Sequence, residues 1–241
     1  MGRLEGKRIA ILATDGFEQS ELTAPMKALE GEGAQVDVVA PHPGVIRGWK
    51  ENNWAESVDV TRALDAAKPG EYDALMLPGG VMNPDQLRSI PNAVAFVRDF
   101  VEARKPIAAI CHGPWTLVET GVLEGRRVTS YGSIKTDLIN AGARWTDEPV
   151  VVDRGLVTSR NPGDIPAFNE KMIEVFVAGP VPEQEEAITD ENLAASPARP
   201  KRKKASAATG ARGKAAPRKN GRHAKPRGTK QAPRRRATRR H

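Results

Sequence analysis

The chain has 241 residues, 39% of them hydrophobic, and a formal net charge of +7. That charge is divided: from Arg199 to His241 there are 18 Lys and Arg and no Asp or Glu, which leaves 19 basic against all 30 acidic residues in 1–198. One cysteine excludes an intrachain disulfide framework and a thiolate zinc centre, and the apolar run Ile9–Ala13 is too short for a signal-peptide core or a membrane span, so a cytoplasmic protein is expected.

Residues 7–178 alternate strand and helix signals. Lys7–Ala13 is a short apolar run ending at a turn and reads as a buried strand. Leu22, Met26 and Leu29 follow at helical spacing, closed by Gly31 and Gly33, with Pro25 set to kink that helix or delay its start. Gln35–Ala40 and Tyr72–Leu77 are the next strands, the second ending at Pro78-Gly79-Gly80. Asn92 caps a predicted helix whose inner face is Val94, Val97, Phe100 and Val101. Pro106–Ile110 is again a buried strand, followed at once by Cys111-His112-Gly113-Pro114 and a helical patch closed by Gly121. Arg127–Tyr131 reads as a strand, Leu138 and Ile139 as part of a helix ended by Gly142, and Val150–Ser159 as a hairpin turning at Asp153-Arg154-Gly155. A last helix, capped by Asp164, turns Phe168, Met172 and Phe176 inward.

Short buried strands alternating with helices imply an α/β fold, a doubly wound and mostly parallel sheet covered on both faces. Three domain-level segments follow: the α/β domain over 1–178, an acidic Pro/Ala-rich linker over 179–198, and a basic tail over 199–241 expected to be disordered. In such sheets the reactive groups lie beyond the carboxyl ends of the strands. That rule selects Asp15–Glu18, Pro78–Asp85 and Cys111–Pro114, which should converge.

Cys111 carries the chemistry. A cysteine between a strand end and a helix start is pushed out of the sheet, and the free N–H groups of the helix favour its thiolate, so a lowered pKa is expected. Gly79 and Gly80 let backbone N–H groups approach a bound oxygen, as an oxyanion hole requires. Glu18, just past the first strand, stands where it could move the thiol proton, and equally where it would complete a capping box with Asp15. His42 reads as a loop residue. No dinucleotide or phosphate-loop motif is present, and no metal or cofactor is expected.

Four ordered motifs resemble the PfpI family of intracellular cysteine peptidases and protein deglycases, within the class I glutamine-amidotransferase-like superfamily. They are Thr14–Glu18, Pro78–Gly80, Ala109–Pro114 and Thr158–Phe168. The resemblance implies a flavodoxin-like sandwich with Cys111 as nucleophile and Glu18 as its acid/base partner. It also implies an oxyanion hole from the N–H groups of Gly80 and His112, and a His112 oriented by a carboxylate of a neighbouring subunit. Asp85 occupies the matching position, where the family's peptidases carry Glu. A homodimer or hexamer is implied with it.

Three activities share these residues: attack on a small carbonyl such as methylglyoxal or its adducts (glyoxalase III or deglycase chemistry), peptide hydrolysis, and a non-enzymatic role as redox sensor or holdase. The tail, with its Lys201-Arg202-Lys203-Lys204 and Arg234-Arg235-Arg236 runs, is expected to bind nucleic acid nonspecifically, which would bring the protein to the nucleoid.

Overall fold

The computed structural model describes residues 2–182. Strand β1 (Arg8–Leu12) leads through the two-residue β2 (Phe17–Glu18) into helix α1 (Gln19–Gly31) and strand β3 (Gln35–Ala40). A hairpin of β4 (Gly44–Lys50) and β5 (Asn53–Val60) comes next, then β6 (Arg62–Ala63) and β7 (Ala74–Leu77). Helices α2 (Met82–Ser89) and α3 (Pro91–Glu102) precede β8 (Ile107–Ile110), which runs into a 3-10 segment, Gly113–Thr120. Strand β9 (Arg127–Val128), helix α4 (Lys135–Asn140) and strand β10 (Arg144–Trp145) lead to the hairpin of β11 (Val150–Asp153) and β12 (Leu156–Ser159), and α5 (Ile165–Ala178) follows.

Seven strands form one sheet in the order β11-β12-β8-β7-β1-β3-β6. All neighbours are parallel except β11, which returns antiparallel along the edge of β12. The alternation of side chains along each strand divides the core into two layers. Ile9, Ile11, Met76, Ala108 and Ile110 face Leu22, Leu29, Phe168, Met172 and Phe176 of α1 and α5. Ala10, Leu12, Leu75, Leu77 and Ala109 face Phe96, Val97, Phe100, Leu117 and Leu138 on the other side. Full burial of each large aliphatic or aromatic side chain stabilises the domain by roughly 1.5–3 kcal/mol, so the sheet is held from both faces. This is the doubly wound sandwich that the alternating pattern implies.

Several details differ from expectation. α1 begins at Gln19 and continues through Pro25, which is buried. A proline at this depth removes one helical hydrogen bond, and packing of its ring against the core offsets the loss. α3 starts at Pro91, before Asn92, and its buried stripe is Ala93, Phe96, Val97 and Phe100, so Val94 and Val101 lie at its margins. Asp164 makes no side-chain cap for α5; its carboxylate takes the Arg160 guanidinium instead. β9 stops at Val128 and pairs with β10 apart from the main sheet. The β4–β5 hairpin turns on Glu51 and Asn52, both with positive φ, the backbone of a tight two-residue hairpin turn made without glycine. Among the described residues, no helix is long and apolar enough to cross a membrane. The linker from residue 183 and the basic tail lie outside the described residues.

Candidate active site

The carboxyl ends of β1, β7 and β8, neighbours in the sheet, bring the three selected loops together. Cys111 directly follows β8 with φ of 61°, a left-handed conformation that a non-glycine residue adopts only where surrounding structure holds it. Two backbone bonds do so here: Cys111 N–H donates to the Ser159 carbonyl at 3.0 Å, and Tyr131 N–H donates to the Cys111 carbonyl at 2.9 Å. The turn places the thiol at the strand end, 6% exposed and beside the Gly79-Gly80 loop.

That loop is glycine for two reasons. A Cβ on Gly79 would lie 2.6 Å from the Cys111 Cβ, and Gly80 has φ of 81° with its open side against the Gly16 carbonyl. The N–H groups of Gly80 and His112 favour negative charge on the Cys111 sulfur, and that of Gly80 favours it on Glu21 as well, an effect that an oxyanion hole uses. Asn83, fully buried on α2, fastens the loop in place. Its amide donates to the carbonyls of Pro78 at 2.9 Å and Gly79 at 3.2 Å, while its oxygen accepts from Thr14 N–H at 2.8 Å.

The acid beside the thiol is Glu21, and this corrects the expectation for Glu18. Glu18 is the residue before α1; its carboxylate accepts from the Ser20 hydroxyl at 3.3 Å, and its N–H donates to the Gly79 carbonyl at 3.2 Å. Glu21 is fully buried one turn further on, and it accepts from Gly79 N–H at 3.1 Å. Burial pushes its pKa up to about 8, against the pull of the Cys111 thiol and the Gly79 and Gly80 N–H groups; the charge of Glu18 adds to the rise. The signal that would have found it is a charged residue inside a buried helical stripe, Glu21-Pro25-Leu29 at i, i+4, i+8.

The thiol also departs from expectation. Its pKa is raised, first by burial and then by Glu21, and the N–H groups of Gly80 and His112 only moderate the rise. A single-turn dipole would favour the thiolate, but the element after Cys111 is a 3-10 segment and the sulfur is shut away from water. At neutral pH the pair therefore holds a thiol next to a largely protonated carboxyl.

The His112 ring, 7% exposed, places Nδ1 3.2 Å from the Cys111 sulfur and Nε2 2.9 Å from the Ser133 hydroxyl. Tyr131 stacks on it with ring centres 4.7 Å apart and planes 26° from parallel. Burial lowers the pKa of His112, so the imidazole is neutral.

Residues 7–175 match the DJ-1/PfpI family. The chain belongs to the DJ-1/PfpI family. It is 43% identical over 174 residues to "Protein/nucleic acid deglycase 2" of Escherichia coli (strain K12), covering 71% of this chain and 99% of that one. A second relative, YraA of Bacillus subtilis (strain 168), is named provisionally as a cysteine protease; it is 42% identical over 170 residues, 70% of this chain and 98% of its own. Among solved structures, a two-domain protein of Anabaena variabilis with a DJ-1/ThiJ/PfpI-like and a ferritin-like domain superposes with a TM-score of 0.66 at 36% identity, over 70% of this chain and 47% of that one.

In this DJ-1/PfpI chain the structure brings Cys111, His112, Gly80 and Glu21 together and leaves Asp85 apart. Asp85 is exposed on α2 and makes no hydrogen bond to His112 within the protomer. His42 stays in its loop, Nδ1 on the Pro43 carbonyl at 3.2 Å and Nε2 3.9 Å from Asp15. Among the described residues no cluster of His, Cys, Asp and Glu is arranged to hold a metal ion.

Proposed function

We propose that the protein is a Cys111-dependent enzyme acting on small reactive carbonyls or their adducts on proteins and nucleotides, of glyoxalase III or deglycase type. The observation that carries this reading is the buried Glu21 carboxyl, held by Gly79 N–H and raised to about 8, against a Cys111 thiol that the Gly80 and His112 N–H groups also stabilise in its charged form. The thiol proton passes to His112 Nδ1 and the sulfur adds to the carbonyl carbon. The carbonyl electron pair moves to oxygen, where the N–H groups of Gly80 and His112 hold it and Glu21 supplies a proton. The Glu21 carboxylate then withdraws the proton on the former aldehyde carbon, giving an enediolate, and returns it to the neighbouring carbon, while the hydroxyl proton on the former aldehyde oxygen passes to the former ketone oxygen, leaving a thioester of a 2-hydroxy acid. Water adds to that thioester, one of its protons going to the Glu21 carboxylate and the imidazolium proton going to the departing sulfur, which gives a hydroxy acid and the free thiol. The deglycase name of the E. coli relative supports the same class.

Peptide hydrolysis is less well served. It needs a base strong enough to keep a thiolate and an acid for an amine leaving group. Here the imidazole is buried and neutral, and its second nitrogen meets a hydroxyl rather than a carboxylate. Methylglyoxal consumption with lactate as product tests the choice. Wild-type turnover that Cys111→Ala abolishes supports it; turnover of peptides alone reverses it.

Two further parts of the proposal concern assembly and location. Val81, which follows Gly80, and Tyr131, which stacks on His112, are large exposed apolar and aromatic side chains, suited to burial in a homodimer or hexamer; light scattering on the full chain tests it. The 18 uncompensated positive charges after residue 198 suit nonspecific nucleic-acid binding in the cytoplasm, including at the nucleoid. Replacing Lys201, Arg202, Lys203, Lys204, Arg234, Arg235 and Arg236 by Gln should then reduce DNA retention at 150 mM salt, as assay salt near physiological ionic strength.

A further inference from the structure

We propose that Ser133 is the positioning residue for His112, selecting the imidazole tautomer that leaves Nδ1 free to take the Cys111 thiol proton within a single protomer. The inference rests on the reading of Cys111 as the nucleophile and adds the partner that orients its base.

The geometry is local and comes from one short segment. Tyr131 N–H is fastened to the Cys111 carbonyl at 2.9 Å, so the chain that follows is carried past the nucleophile. The Tyr131 ring covers one face of the imidazole, and two residues later Ser133, in the 3-10 turn Gly132–Ile134, sets its hydroxyl 2.9 Å from Nε2. Stacking fixes the plane of the ring and the hydroxyl fixes its rotation. Cys111 N–H, Cys111 C=O and both nitrogens of His112 are thus all engaged by elements of the same protomer.

The proton count decides the direction of the bonds. For Nδ1 to accept from the Cys111 thiol it must carry no hydrogen, which puts the ring proton on Nε2. Nε2–H then donates to the Ser133 oxygen. Ser133 is exposed, so its own hydroxyl proton can turn to water and leave a lone pair for the ring. The groups around the imidazole are Cys111 at the end of β8, Tyr131 and Ser133 after β9, and Trp115 of the 3-10 segment; Glu21 and Glu18 of the α1 end lie beyond the thiol. Among these described residues of the protomer, none places a negative charge on Nε2. Ser133 accordingly orients the base without strengthening it, which suits addition to an electrophilic carbonyl and does not suit amide cleavage.

Three variants of the full chain test this: Ser133→Ala, Ser133→Thr and Ser133→Asp. The first readout is the imidazole 15N spectrum of His112, assigned by its absence in His112→Gln. Wild type should show the Nε2–H form, Ser133→Ala a mixture of tautomers, and Ser133→Thr the wild-type form again. The second is the alkylation rate of the single cysteine by iodoacetamide from pH 5 to 9. Ser133→Ala should slow it, and Ser133→Asp should move its acidic limb to higher pH by stabilising the imidazolium. The third is methylglyoxal kinetics, where Ser133→Ala should lower kcat about 10- to 100-fold with little change in KM, the size of effect that a misplaced catalytic group produces. A tautomer and an alkylation profile unchanged in Ser133→Ala would overturn the proposal. Altered tautomer and alkylation in a protein whose wild type leaves methylglyoxal untouched would uphold Ser133 while removing the carbonyl reading.

Discussion

Glu21 and Cys111 share a closed pocket in which the carboxyl accepts Gly79 N–H at 3.1 Å and burial raises both acids at once. A thiol and a carboxyl that each resist ionisation make poor independent nucleophile and base. Together, with the neutral imidazole as a third member, they form a proton-rich site in which charge appears only when a substrate oxygen arrives to receive it.

The first prediction concerns stability. The Glu21 carboxyl rises from an ordinary 4.5 to about 8 on folding, so the folded state binds the proton more tightly. Its contribution is fully present below pH 4.5 and is lost as pH rises through 8. The loss between pH 5 and pH 8 amounts to about 3–4 kcal/mol by linkage. Urea unfolding of Glu21→Gln should show this slope removed, with the variant more stable than wild type at pH 8.

The second separates the two candidate acids. Glu21→Gln should lower carbonyl turnover by about 100-fold or more, the scale of a lost general acid/base. Glu18→Gln should stay within about threefold, since its carboxylate, among the described residues, accepts from the Ser20 hydroxyl and acts on Glu21 only through its charge. Equal losses in the two variants, measured as kcat/KM on methylglyoxal, would return Glu18 to the mechanism.

Asn83 offers a third. Asn83→Ala removes three hydrogen bonds from a fully buried position and takes the partner from Thr14 N–H and the Pro78 carbonyl, while the Gly79 carbonyl keeps only Glu18 N–H. Denaturant unfolding should show a loss of about 2–4 kcal/mol. At temperatures where the variant remains folded, kcat should still be reduced, because the Gly80 N–H has lost its support.

The fourth tests the backbone of the hole. Gly80→Ala places a Cβ against the Gly16 carbonyl on a residue with φ of 81°. A loss of about 1–3 kcal/mol is expected from the strained backbone alone. Thermal melts together with kcat should show the variant folded at low temperature and nearly inactive.

The sequence showed most of the frame, and the reasons are physical. Strands such as Ile107–Ile110 are buried on both faces and therefore continuous in apolar residues, and the Cys-His-Gly-Pro that follows can form little else than a sharp exit from the sheet. Glu21 is hidden in the sequence because Pro25 obscures the start of α1, and Glu18 is the acidic residue nearest the strand end. Asn83 and Ser133 look like ordinary loop polarity until distant segments meet them. The thiol pKa had the wrong sign because a strand-to-helix junction suggests a dipole and says nothing of how completely the sulfur is enclosed. The β4–β5 turn escaped because Glu51 and Asn52 adopt positive φ without the glycine that usually announces it.

The Asn83 side chain joins the loop after β1 to the loop after β7 through bonds that no substrate needs to make. The ordering of the anion-binding backbone is thus completed once, when the chain folds, and is not repeated with each molecule converted. Catalytic competence and global folding should then fail together on heating, with no intermediate range in which the domain is intact and its oxyanion-binding backbone has melted.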